Sequence, residues 1–266
     1  MYLDLQPFED QTAYRFTASR PRDGRTGPLV ILKSLENSEV FGPHLRKLRE
    51  TVGNSVPVMQ AKIADSSPEG WTKNAPAFAA FIAAAYQPLR NAAMDRSREL
   101  DAIRADKLAN RPAIPLSAGE AEKLRIVFAH EVRTAQTVQW LSGLKPSELI
   151  AAASGNREFG SVILSNPTLR AKLPGDLAER LERDTLELAY AEQNANAVKL
   201  KPTYDLPLRQ GGNLDAAKAI ARQAIASHEV ARDEIAAVEM VLKSAVDFVA
   251  ILGDISREEA FGLLNG

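Results

Sequence analysis

A mainly α-helical fold is expected from this sequence: an elongated antiparallel helical bundle with long coiled-coil-like helices, preceded by a small N-terminal β-hairpin and extended-arm region. Three observations lead there. Residues 214–252 keep one apolar side by alternating steps of three and four, through Leu214, Ala217, Ala221, Ala224, His228, Ala231, Ile235, Val238, Leu242, Ala245, Val249 and Leu252. No Gly or Pro interrupts that stretch, so one helix of about 58 Å is expected at about 1.5 Å per residue. Second, helix-start signals recur from residue 74 onward. Third, residues 1–73 differ in kind from the rest, which places a boundary between an N-terminal arm and hairpin region (1–73) and a helical bundle domain (74–266).

In the first region, Tyr2, Leu3, Leu5 and Phe8 with Pro7 suggest an extended arm. Residues 13–19 alternate as a strand does, with Tyr14 and Phe16 opposite Arg15 and Thr17. Pro21, Gly24, Gly27 and Pro28 punctuate a loop, and residues 29–32 are a short apolar run. Together these suggest a hairpin with a long tip. A short helix over 43–51 is expected to stop at Gly53, residues 56–63 read as a third strand, and 66–70 as a linker.

Asn74 is a good N-cap with Pro76 in the first turn. The helix it opens should reach residue 108, with an apolar first half (Phe78, Phe81, Ile82, Ala85, Tyr86, Leu89) and a charged second half carrying only Leu100 and Ile103. Ser117 and Glu120 form a capping box for a helix to residue 141, its core side read as Leu124, Val127, Phe128, Ala135, Val138 and Leu141. Shorter helices follow near 146–153, 157–164 and after Asn166-Pro167. Asp176 opens one to residue 198. Residues 201–212 form a long connection that about a dozen extended residues would carry some 40 Å. Asn213 then caps the long helix, Gly253 stops it, and Ser256 with Glu259 opens the last.

The two long helices have unlike halves in opposite order. Wide apolar halves want a shared core and narrow halves want one close neighbour. An antiparallel pairing is therefore expected, with 78–93 beside 238–252 and 95–108 beside 214–231.

The totals exclude several classes of function. With 33 Lys plus Arg against 34 Asp plus Glu, the net charge is -1, unlike a protein coated for nucleic acid. The absence of cysteine removes disulfides, thiolate metal sites and cysteine catalysis together. Residues 1–10 lack a basic n-region, and the longest apolar run, 75–86, is about half of the ~20 residues a bilayer span needs. A cytoplasmic or within-virion location is expected, with no secretion signal and no membrane span.

Motifs of chemistry are missing. His130-Glu131 and His228-Glu229 resemble half of a zinc-protease motif, yet Thr134 and Arg232 stand where the second histidine should be. Neither histidine has a Glu three residues before it, as a di-metal bundle site requires. No phosphate loop, dinucleotide fingerprint or nucleophile elbow occurs, and helix carboxylates sit at salt-bridge spacing, as Glu239 does with Lys243. No catalytic, cofactor-binding or metal-binding residue is assigned.

Two interaction candidates remain. Arg20, Arg22 and Arg25 crowd the hairpin tip, where they suit a phosphate or nucleic-acid backbone or a neighbouring subunit. His228 lies on the heptad seam, where a polar residue fixes register or partner. The resulting expectation is a non-enzymatic structural or assembly protein, joining copies of itself or other subunits, with a bacteriophage virion component (connector, inner-core or ejection type) as the preferred instance by architectural analogy. The alternatives are a helical-bundle enzyme whose carboxylates converge in three dimensions, and an adaptor binding nucleic acid or protein through the basic hairpin.

Overall fold

The computed structural model describes residues 2–195, 198–205, 207–208 and 211–266. Its mainly α architecture carries a small antiparallel sheet at the N-terminus. The contacts group the chain into two compact units, residues 1–99 with 230–266 and residues 100–229. Residues 1–73 thus belong to the same unit as the segments 74–99 and 230–266.

The first unit begins with β1 (Asp4–Glu9), β2 (Ala13–Arg20) and β3 (Arg25–Leu32), in the order β1-β2-β3. The opening arm is therefore a paired strand. Pro7 is tolerated because β1 lies at the sheet edge, where a missing N–H costs no ladder bond. The hairpin tip is shorter than its Pro and Gly residues suggested: Gly27 and Pro28 lie inside β3, paired with Ala18 and Thr17. A Cβ at Gly27 would overlap the carbonyl of Asp247, so glycine permits close approach of β3 to a helix backbone.

Asp10 shapes the turn between β1 and β2. Its carboxylate accepts from the Thr12 N–H (2.7 Å), the Thr12 hydroxyl (2.7 Å) and the Ala13 N–H (2.8 Å). These bonds, the Thr12 hydroxyl first, hold the Asp10 pKa down from 3.8 to about 2. A depressed folded value means that the stabilisation is complete above the unfolded pKa and lost as pH falls through the folded one. A carboxyl titration of Asp10 followed by NMR is expected to show a midpoint near 2; a midpoint near 3.8 would mean that the turn bonds are absent.

After a 3-10 turn (Lys33–Asn37), α1 (Gly42–Asp65) is one helix where the sequence suggested a short helix and a strand. Its buried residues, Leu45, Leu48, Val52, Val56, Met59 and Ile63, recur at steps of three and four. They cover the sheet, and Gln60 Nε2 donates to the Leu5 carbonyl at 2.8 Å. Helix α2 (Pro68–Leu108) begins earlier than Asn74, and α8 (Leu214–Gly253) matches the long seam.

In the first unit, Ala75, Ala79, Ile82, Tyr86 and Leu89 of α2 share one core with Val238, Val241, Ala245, Phe248 and Leu252 of α8. Trp71, at the start of α2, donates to the carbonyl of Leu252, at the end of α8. That is the antiparallel sense expected for these halves. The helix α9 (Arg257–Asn265) adds Ala260 and Leu264 to the same core and opens with the anticipated Ser256–Glu259 capping box.

The second unit holds α3 (Glu120–Ser142), α4 (Pro146–Ala153), α5 (Arg157–Ser165), α6 (Pro167–Arg170) and α7 (Gly175–Ala195) with the adjoining parts of α2 and α8. Leu141, Leu149, Val162, Ile163, Leu169 and Leu181 form its main core. Here the narrow halves of the long helices both meet α7. Glu182, buried on α7, is bonded by Arg104 of α2, and Lys107 bonds Gln193. From α8, Ala217 and Ala221 are fully buried with Ala191. The alanine-lined half thus packs on α7 of the same chain, where residues 95–108 were the expected neighbour.

The connection before α8 does not stretch. Leu200 N–H donates to Gly211 O at 2.9 Å and Asn213 N–H to Val198 O at 2.6 Å, so its two ends meet and the segment is a closed excursion. Residues 196 and 197, near the expected end of α7, and three residues of this excursion (Leu206, Arg209, Gln210) lie outside the described residues, and Val198 N–H still donates to the Asn194 carbonyl at 3.1 Å.

Candidate functional site

Each interaction candidate has a definite place. The β2–β3 tip turns at Gly24, whose φ of 67° suits glycine. Arg20 Nε donates to the Ile251 carbonyl at 2.9 Å, and its guanidinium also pairs with Asp254 at 3.0 Å. Arg25 pairs with Asp23 at 2.8 Å and with Asp254; the bond to Asp254, above all, pushes the Arg25 pKa up. The last carbonyls of a helix have no helical donor. Here Arg20 satisfies Ile251 and the Trp71 indole satisfies Leu252 at 2.8 Å. Arg20 thus caps the C-terminal end of α8, and Arg25 joins it through the carboxylate of Asp254 just past that end. Arg22 is exposed on the turn.

His228 accepts or donates at Nε2 to the Tyr190 hydroxyl at 3.0 Å. Burial pushes the Tyr190 pKa up, so the phenol stays protonated and can donate to a neutral imidazole. The histidine's partner lies on α7, beside the buried Ala191 contact.

A polar cleft of about 220 Å³ in the second unit is lined by His130, Arg133, Arg157, Glu158, Ser161 and Glu192, among others. His130 Nε2 lies 3.1 Å from the Asn110 carbonyl. Both carboxylates are held by arginines, Glu158 by Arg133 (2.6 Å) and Glu192 by Arg157 (3.0 Å). Among the described residues no group of three or more His, Asp or Glu is arranged to hold a metal ion, and no helix is long and apolar enough to cross a membrane.

The largest departure from the sequence reading is α3. Of its expected core side only Leu141 is buried. Leu124 is 70% exposed and Phe128 67%, and Ala135 is exposed as well. The helix packs through its C-terminal end, where Leu141 and Val138 join the core, and through the connector, where Thr134 Oγ1 accepts from Asn110 Nδ2 at 3.0 Å. Ala121, Leu124, Phe128, Val132 and Ala135 are left as one exposed apolar stripe at helical spacing.

No protein-family model matches this sequence, and comparison with curated proteins and with solved structures returns no match. The exposed stripe is thus interpreted from its own residues. The excursion before α8 adds two further uncovered groups, with Tyr204 fully exposed and Leu208 87% exposed. Neither the stripe's exposure nor this pair was anticipated. A run of apolar residues on a helix shows that a face exists, but only the packed chain shows that no described residue covers that face.

Proposed function

We propose that this protein is a non-enzymatic assembly subunit that joins copies of itself through the exposed face of α3. The observation that carries this is the uncovered stripe of Leu124, Phe128 and Val132. A contiguous apolar face of this kind on a folded chain marks an interaction surface, because burying it recovers roughly 1.5–3 kcal/mol per large side chain.

The stripe also has the same character read in either direction. Large apolar residues stand four before and four after Phe128 (Leu124, Val132), and alanines seven before and seven after it (Ala121, Ala135). A two-fold, antiparallel pairing of α3 with itself needs such self-complementarity, since the same patch must serve both partners. Phe128 would then meet its own counterpart. A place in a larger symmetric shell, collar or virion core is the setting that suits such a subunit best.

Light scattering across a concentration series tests the reading. The mass should rise above the 28.9 kDa of one chain as concentration passes through the micromolar range. A mass fixed at one chain up to hundreds of micromolar would overturn it.

A further inference from the structure

The first unit contains a groove that the assembly reading does not use. It has a volume of about 360 Å³ and lies between α2 and α8, closed at one side by Phe261 of α9. Tyr86, Ala93 and Met94 line one wall, and Ile235, Leu242 and Val246 the other. The size falls in the range of small-molecule sites, which are mostly apolar with a few placed polar groups.

One of those polar groups is unusual. Arg90, half-buried in this lining, forms no ion pair and no hydrogen bond among the described residues. The second cation, Lys243, is already held by Glu239 at 2.8 Å, and this pair neutralises the one carboxylate that, among the described residues, also lines the groove. Elsewhere in this chain half-buried arginines find acceptors: Arg20 has Asp254, Arg49 has Glu36 and Arg157 has Glu192. A carboxylate offers a guanidinium beside apolar walls two parallel, charge-assisted bonds. The hydroxyl of Ser97, two turns further along the same side of α2, also lines the groove.

We infer that this groove binds an unbranched aliphatic carboxylate, its head on Arg90 and its chain between α2 and α8. A medium-length chain, of about ten to twelve carbons, is the class that suits a groove of this size. A neutral alcohol of the same length would keep the apolar contacts and lose the ion pair, and an alkylamine would set a cation against Arg90.

The experiment is calorimetric titration of the intact protein with dodecanoate, dodecanol and dodecylamine, each below its aggregation threshold, with thermal unfolding in parallel. Dodecanoate should bind once per chain and raise the unfolding temperature. Arg90→Met should weaken it at least about tenfold, and Arg90→Lys should recover part of the loss. Equal affinity for all three probes, affinity indifferent to Arg90→Met, or no saturable binding at submillimolar dodecanoate would each overturn the inference. So would loss of self-association in Arg90→Met, which would assign the groove to a second copy of the chain. Failure of dodecanoate binding with self-association intact leaves the α3 reading untouched.

Discussion

Replacing Leu124 and Phe128 together by glutamate is expected to reduce the protein to single chains at concentrations where the unaltered protein associates. Both side chains are more than half exposed in the chain alone, so the substitution takes little from the fold, and glutamate is a good helix former. At a self-interface the same change removes two large apolar contacts from each partner, and it sets the glutamate at 128 against its own counterpart and the one at 124 against Val132 of the other copy. Loss of roughly 1.5–3 kcal/mol for each buried side chain weakens association more than about 100-fold. Sedimentation velocity reads the mass, and far-UV circular dichroism shows that the helices persist. Association unchanged in this variant would exclude the α3 face.

The second large effect concerns Trp71. Its side chain is fully buried, its ring stacks on Phe78 with centroids 5.5 Å apart, and its indole N–H satisfies the Leu252 carbonyl at the end of α8. Trp71→Ala therefore removes a large core group and leaves a cavity, for about 3–5 kcal/mol. That is a large share of the ~5–15 kcal/mol by which a domain is stable. Trp71→Phe keeps most of the apolar volume but orphans the carbonyl, for about 1–3 kcal/mol. Urea unfolding should rank the two variants in that order. Hydrogen exchange in the last turns of α8 should rise in Trp71→Phe before other core amides change. If both variants unfold at the urea concentration of the original, Trp71 neither fills the core nor caps α8.

The long seam of α8 was readable because an uninterrupted 3-4 pattern has one regular solution, a helix with one buried side. The buried ladder of α1 carries the same signal, Leu45, Leu48, Val52, Val56, Met59 and Ile63. Gly53 and Pro57 obscured it, since both residues usually end helices, yet here Pro57 lies inside one. β1 was read only as an extended arm: Pro7 spoke against a helix, and nothing local names β2 as the strand with which the arm pairs.

The hairpin arginines show a different limit. Arg20 and Arg25 make a basic cluster in the sequence, but their partner Asp254 is more than two hundred positions away. Only the packing of β2 and β3 on α8 makes Arg20 a cap and pairs Arg25 with Asp254. His228, a seam position of α8, bonds the Tyr190 hydroxyl of α7, a partner that the seam pattern alone does not name. For α3 the apolar residues were legible and their exposure was not, because burial depends on which other elements reach them.

The absence of cysteine makes the α3 face directly testable. A single Phe128→Cys substitution places one thiol at the centre of the stripe, and mild oxidation then reports whether position 128 of one chain meets position 128 of another. Disulfide formation needs Cα atoms within about 4.4–6.8 Å, which chance collision rarely sustains. The expected result is rapid conversion to a covalent dimer. A control with cysteine at Glu50, exposed on α1, should convert far more slowly. Equal, slow conversion of the two would contradict the claim that this protein assembles through α3.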